Sequence, residues 1–206
     1  MDFRARYDCR KVEAGAGVTG SAKDGLFATA LAELGGVLGH VDENAMDEAC
    51  RILTSADKVM VYGCGREALQ IKGFATRLFH LGVPVSVVGD MAAPRLGPGD
   101  VFLASSGPGE TSTVLTLMRV ARDAGATVVL VTAQPAASAA DLADHVLTIP
   151  AQTMADDRGP DRRSVLPMGS VFEGALFVLF EVMVLKLKSM LKVSPEAMRA
   201  RHTNME

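Results

Sequence analysis

Lys58-Val59-Met60-Val61-Tyr62-Gly63-Cys64-Gly65-Arg66-Glu67-Ala68 decides the fold. A short run of strand-forming residues enters a Gly-x-Gly turn, and the chain then adopts helical spacing from about 66 to 81, where Gly82 stops it. The alternation recurs downstream. Residues 84–88 read as a strand, and residues 100–104 as another that enters Ser105-Ser106-Gly107-Pro108-Gly109. A helix follows over about 110–123, ending at Gly125. Residues 127–132 form a buried strand and 145–149 the last one. Short apolar strands separated by helices predict an α/β fold, a doubly wound five-stranded parallel sheet with helices on both faces. Ligands of such sheets sit outside the carboxyl ends of the strands, so the loops after Tyr62 and Ala104 are the places to search.

Upstream, Leu26, Ala30, Leu31, Leu34 and Leu38 share one face of a helix whose middle is weakened by Gly35-Gly36. A second helix is expected over 43–54, capped by Asp42. Residues 1–25, with Gly15, Gly17 and Gly20, read as a loosely ordered leader, leaving 26–206 as a single domain. Residues 151–169 form a long connection carrying Asp156, Asp157, Arg158, Asp161, Arg162 and Arg163. Its length fits a lid or binding loop and equally a solvated crossover. An apolar helix over 170–192 and a short one over 195–201 complete the chain.

With 49% apolar and 22% charged residues, the chain can bury a sizeable core. Its aromatic content is only eight Phe and two Tyr, so that core is built mainly of Ala, Val, Leu and Met. A net charge of −3 carries no footprint for nucleic acid or an anionic membrane, which favours small-molecule chemistry. Three widely spaced cysteines, Cys9, Cys50 and Cys64, give neither a disulfide framework nor a zinc motif. The start lacks the apolar stretch of a signal peptide, and residues 171–185 include Glu173 and Glu181 in a segment too short to span a bilayer. A cytoplasmic protein is the expectation, its apolar helix lying in the core or a subunit interface.

Two loops carry the chemistry. Gly63-Cys64-Gly65-Arg66-Glu67-Ala68 fits the loose dinucleotide fingerprint, with Asp90 past the next strand where a ribose-binding carboxylate would stand; it is equally an ordinary tight strand-to-helix turn. Ser105-Ser106-Gly107-Pro108-Gly109-Glu110-Thr111-Ser112-Thr113 gathers five hydroxyls and two glycines where a strand leads into a helix, the arrangement that favours a phosphate. It lacks the Gly-Lys-Ser/Thr of a nucleotide P-loop. Glu173 sits early in an apolar helix, either as a base with a raised pKa or as the third position of a capping box begun by Ser170. The four histidines show no metal-ligand spacing.

Together with Arg77-Leu78-Phe79-His80-Leu81-Gly82, Leu166-Pro167-Met168-Gly169-Ser170-Val171-Phe172-Glu173 and Arg201-His202-Thr203-Asn204, these loops resemble the sugar-isomerase (SIS) family, and within it the 6-phospho-3-hexuloisomerases. The resemblance runs from about Leu26 to the end. It implies interconversion of 6-phospho-3-hexulose and fructose 6-phosphate through a cis-enediol, without metal or cofactor, in a dimer or tetramer. By that likeness Glu173 is the base and His202 its protic partner, supplied across a subunit boundary. Ser106, Thr111 and the backbone of Gly107 and Gly109 hold the phosphate; Gly65, Arg66 and His80 complete the binding residues.

Three positions depart from the family pattern. Glu67 replaces the hydroxyl of the first loop, Pro108 replaces the second serine of the phosphate loop, and Ala92-Ala93 stand where threonines are usual. An anionic Glu67 would repel phosphate unless it swings away or pairs with Arg66 or a loop arginine. Arg158, Arg162 and Arg163 could replace the lost donors. A different sugar and a non-catalytic sugar-phosphate binder are the alternatives these losses leave open.

Overall fold

A computed structural model describes residues 25–158, 160 and 163–205. The sequence-predicted leader, apart from Gly25, and Arg162 lie outside the described residues. Five parallel strands, β1 (Val59–Gly63), β2 (Val85–Val87), β3 (Val101–Ser105), β4 (Thr127–Thr132) and β5 (His145–Thr148), lie in the order β2-β1-β3-β4-β5. The helices are α1 (Leu26–Leu38), α2 (Glu43–Ser55), α3 (Gly65–Leu81), α4 (Ser112–Asp123), α5 (Ser170–Met190) and α6 (Pro195–Ala200). This is the flavodoxin-like form of the doubly wound α/β sheet expected from the sequence.

Strand alternation separates two cores. Val59, Val61, Val101, Leu103, Val129, Val131 and Leu147 face a layer made by α2, α3 and α5, with Leu34, Val37 and Leu38 of α1 packed at its edge. Phe102, Ala104, Val128 and Leu130 point the other way, against Val114, Met118 and Ala121 of α4. Helices therefore cover both faces unequally. Phe74 and Phe180 stack at 4.4 Å where α3 meets α5, fixing these two long helices side by side.

The strand order reverses between β1 and β3, and their register pairs Tyr62 with Ala104 and Gly63 with Ser105. The two sequence-predicted loops therefore leave the sheet at the same level and side by side. A topological switch point at the carboxyl ends of adjacent strands is where this architecture opens a crevice.

Most boundaries agree with expectation to within one residue, and three elements differ more. α4 begins at Ser112 rather than 110, because Glu110 turns its carboxylate to the N–H and hydroxyl of Ser138. α5 ends at Met190 rather than 192, where Lys192 adopts φ 53°. β2 shrinks to three residues at the sheet edge. Gly35-Gly36 do not interrupt α1. Among the described residues, no helix is long and apolar enough to cross a membrane.

Candidate active site

The crevice is built from the first turn of α3, the loop after β3 and the first turn of α5. The loop is braced from within. Ser106, 1% exposed, accepts the Gly109 N–H on its hydroxyl oxygen and donates to Thr111 Oγ1, both at 3.1 Å. Gly109 has φ +70°, and a Cβ there would stand 2.5 Å from that of Ala137, so a side chain meets both strain and collision. Gly107 is pressed so closely that a Cβ would come within 3.2 Å of Phe172 and Thr153.

Glu67 lies inside this loop. It neither swings away nor pairs with Arg66. Its carboxylate accepts the Gly107 N–H at 3.0 and 3.2 Å and also the hydroxyl of buried Ser105. Burial pushes the Glu67 carboxyl above its ordinary value; the bonds from Ser105 and Gly107 oppose this, and the charge of Glu173 adds to it. Two carboxylates thus face one another at the switch point.

Arg66 serves Glu173. One guanidinium nitrogen lies 2.8 Å from Glu173 Oε2, and the other donates to Ser170 Oγ at 2.8 Å. The contact to Glu173 is charge to charge rather than an aligned hydrogen bond, and that buried oxygen accepts no hydrogen bond. The Glu173 side chain is 13% exposed. Burial raises its pKa, and Arg66 lowers it in part. The capping-box reading does not hold: Gly169, at φ +74°, occupies the N-cap, and Ser170 donates to the Pro167 carbonyl.

Gly65, Arg66, Ser106, Gly107, Gly109, Thr111 and Glu173 thus come together. His80 and His202 do not join them. Their rings stack 5.2 Å apart at the last turn of α3, and Arg201 donates to the His80 carbonyl at 3.0 Å. From residue 66 to residue 80 the helix rises by about 21 Å. The physical reason was already in the sequence: α5 starts beside Glu173 and, running alongside α3, carries the chain to the amino ends of the strands before His202 is reached. Asp90 accepts the Val87 N–H in a turn, which gives the ribose-carboxylate reading a local structural alternative.

A larger cavity, about 920 Å³, opens beside the crevice, lined among others by Glu33, His40, Gln134, Arg158 and Arg163. Here Glu33 accepts the Val165 N–H at 2.9 Å and the Ser164 hydroxyl, tying the 151–169 connection to α1. Sequence reasoning missed Glu33 and the role of Ser105. A lone carboxylate in the apolar run of α1 was the available signal for the first; Ser105 was counted among the loop hydroxyls, but nothing in the sequence pairs it with Glu67. Arg158 and Arg163 line this cavity rather than replace donors at Gly107. Among the described residues, no group of three or more His, Cys, Asp or Glu could hold a metal ion.

A family model described as the SIS domain matches residues 52–170. The chain belongs to the SIS domain family. It is 31% identical over 176 residues to the 3-hexulose-6-phosphate isomerase of Methylomonas aminofaciens, covering 85% of this chain and 96% of that one. It is 34% identical over 174 residues to the enzyme of the same name from Mycobacterium gastri, covering 84% and 86%. In fold it matches a crystal structure from Methanococcus jannaschii, described as inferring a 3-hexulose-6-phosphate isomerase function. That match has a TM-score of 0.75 and 22% identity, covering 87% of this chain and 98% of that one. The relatives thus support the sugar-phosphate isomerase class over most of the chain.

Proposed function

We propose that this protein isomerises a sugar phosphate, converting 6-phospho-3-hexulose to fructose 6-phosphate, with Glu173 as the base. The observation that carries this reading is the Glu173 carboxylate itself: part-buried, raised in pKa, and held by Arg66 at the mouth of a hydroxyl-rich loop. A carboxylate of that character suits proton abstraction beside a carbonyl near neutral pH. Glu173 takes the proton from C2 of the 3-ketose, leaving a cis-enediolate; the O2 hydroxyl proton passes to O3, Glu173 returns its proton to C3, and the carbonyl forms at C2. Arg66 offers the enediolate oxygen a cation.

Thr111 and the loop backbone are the phosphate-binding groups on this reading, and Ser106 holds their geometry. His202 reaches Glu173 only from another copy of the chain, so the reading includes self-association as a dimer or tetramer. Exposed Phe27 and Leu31 on α1, with Phe177 and Leu185 on α5, offer apolar surface for it. The protein acts in the cytoplasm, without nucleic-acid or membrane partners and without a cofactor.

Direct turnover tests the reading. Purified protein is given 6-phospho-3-hexulose generated in situ, and fructose 6-phosphate is followed through a coupled dehydrogenase. Wild type turns over, and Glu173→Gln loses roughly a thousandfold in kcat, within the range for removing a positioned base. Absence of wild-type turnover in folded, assembled protein overturns the assignment.

A further inference from the structure

The loop that reads as a phosphate cradle already holds a carboxylate. Glu67 occupies the Gly107 N–H with both oxygens and takes the Ser105 hydroxyl as well. Those are the anion-seeking donors at the carboxyl end of β3, and a ligand oxyanion entering there meets the Glu67 oxygens first. Pro108, next in the loop, has no N–H to offer instead. The Gly109 N–H is committed to Ser106, and the Ser106 hydroxyl to Thr111. The donors left to an oxyanion are those further along, the Thr111 hydroxyl and the first N–H groups of α4.

Charge works in the same direction. Among the described residues, the guanidinium that stands beside these carboxylates is that of Arg66, and it is engaged by Glu173. A phosphate dianion that enters approaches the Glu67 carboxylate beside an Arg66 already engaged by Glu173. Like charges at close range in a partly buried site repel strongly.

We propose that Glu67 is a specificity-determining residue, a built-in competitor that holds the cradle against a phosphate until its carboxylate turns out of the loop. The inference rests on the sugar-phosphate reading and deepens it, naming the residue that sets how tightly the phosphorylated end is held. Glu67 does not touch the reacting carbons; it acts on the anchoring end alone. Two properties are separable. The carboxylate occupies donors, and it also repels charge. Glu67→Gln keeps the shape and an accepting oxygen for Gly107 while removing the charge. Glu67→Ser removes both, and adds a hydroxyl of the kind the loop lacks.

The test is isothermal titration of the wild-type protein and both variants with inorganic phosphate and with fructose 6-phosphate, after circular dichroism confirms the fold. The expected order of affinity for both ligands is Glu67→Ser above Glu67→Gln above wild type, with the serine variant at least about tenfold tighter than wild type. Two variants of different size keep the result readable should one of them fold poorly. Equal affinity of all three for fructose 6-phosphate overturns the proposal and leaves the sugar-phosphate reading standing. No binding of either ligand by any of the three overturns both. Titration reads the anchoring end without turnover, so loss of catalysis alone cannot imitate either result.

Discussion

At its first turn α3 presents Arg66 and Glu67 to the carboxyl ends of β1 and β3; at its last turn, about 21 Å away, it presents His80 to Arg201 and His202. Both ends gather polar side chains of the kinds that do chemistry. At the first turn two part-buried carboxylates come near one another, their pKa values are raised, and Glu173 Oε2 accepts no hydrogen bond although a guanidinium stands beside it. At the last turn a ring stacks on a ring and a guanidinium binds a backbone carbonyl, while Gly82 closes the helix at φ +88°. The first arrangement holds charge that is not fully satisfied and so can respond to a ligand. The second secures the chain terminus against the end of a helix. The difference follows from the strands, whose carboxyl ends deliver loops rich in N–H groups and hydroxyls to one edge only.

Between the two ends of α3, the largest expected effect comes from joining them through a second copy. His202→Ala lowers kcat about a hundredfold, within the range for a positioned protic group. Mixing it with the Glu173→Gln protein then restores turnover, because some mixed assemblies hold a site with both groups intact. Activity of the mixture is compared with that of each variant alone. A His202→Ala protein at the wild-type rate would mean that the two ends of α3 are chemically unrelated and that His202 only packs.

Removing the cation at the first turn has the next largest effect. Burial raises the pKa of Glu173 and Arg66 pulls it back, so Arg66→Gln lets it rise further. A base works only when ionised. The acidic limb of the kcat/KM profile, which reports the free enzyme, therefore moves to higher pH in the variant, and activity near neutrality falls roughly tenfold. An unmoved limb would show that the group titrating in the free enzyme is not Glu173, or that Arg66 does not govern it.

These contrasts were unequally legible in the sequence. The strand runs from 58 to 62 and from 127 to 132, with the Gly-x-Gly turn between helix and sheet, announce a parallel sheet because β-branched runs of that length have few other uses. The crevice followed from the strand order they imply. What the chain does not show locally is the direction of a side chain at a helix start. Glu67 is the third residue of α3, where a carboxylate can cap, point to solvent or reach across. Only the pairing of Gly63 with Ser105 sends it into the neighbouring loop. Glu173 posed the same question and was resolved the same way, by Arg66 from another element. The separation of His202 from Glu173 was readable in principle, since Glu173 stands in the first turn of a 21-residue helix and His202 lies beyond its far end. Motif matching sets residues beside each other in a list; helix rise sets them apart in space.

The smallest expected effect sharpens the description of the first turn. Burial raises the Glu67 pKa from its ordinary value of 4.5, so the folded chain holds that proton more tightly than the unfolded chain. Between 4.5 and the raised value the native state binds more protons, and stability must fall as pH rises. The contribution is complete below 4.5 and lost as pH passes through the folded-state pKa. Glutamine at this position keeps an acceptor for the Gly107 N–H and does not titrate. Thermal melts of wild type and Glu67→Gln across about pH 4 to 7 should therefore diverge, with the variant gaining relative stability toward neutral pH. A constant difference between the two melting curves at every pH would mean that the loop stabilises the ionised carboxylate fully, and that the first turn of α3 is as well satisfied as the last.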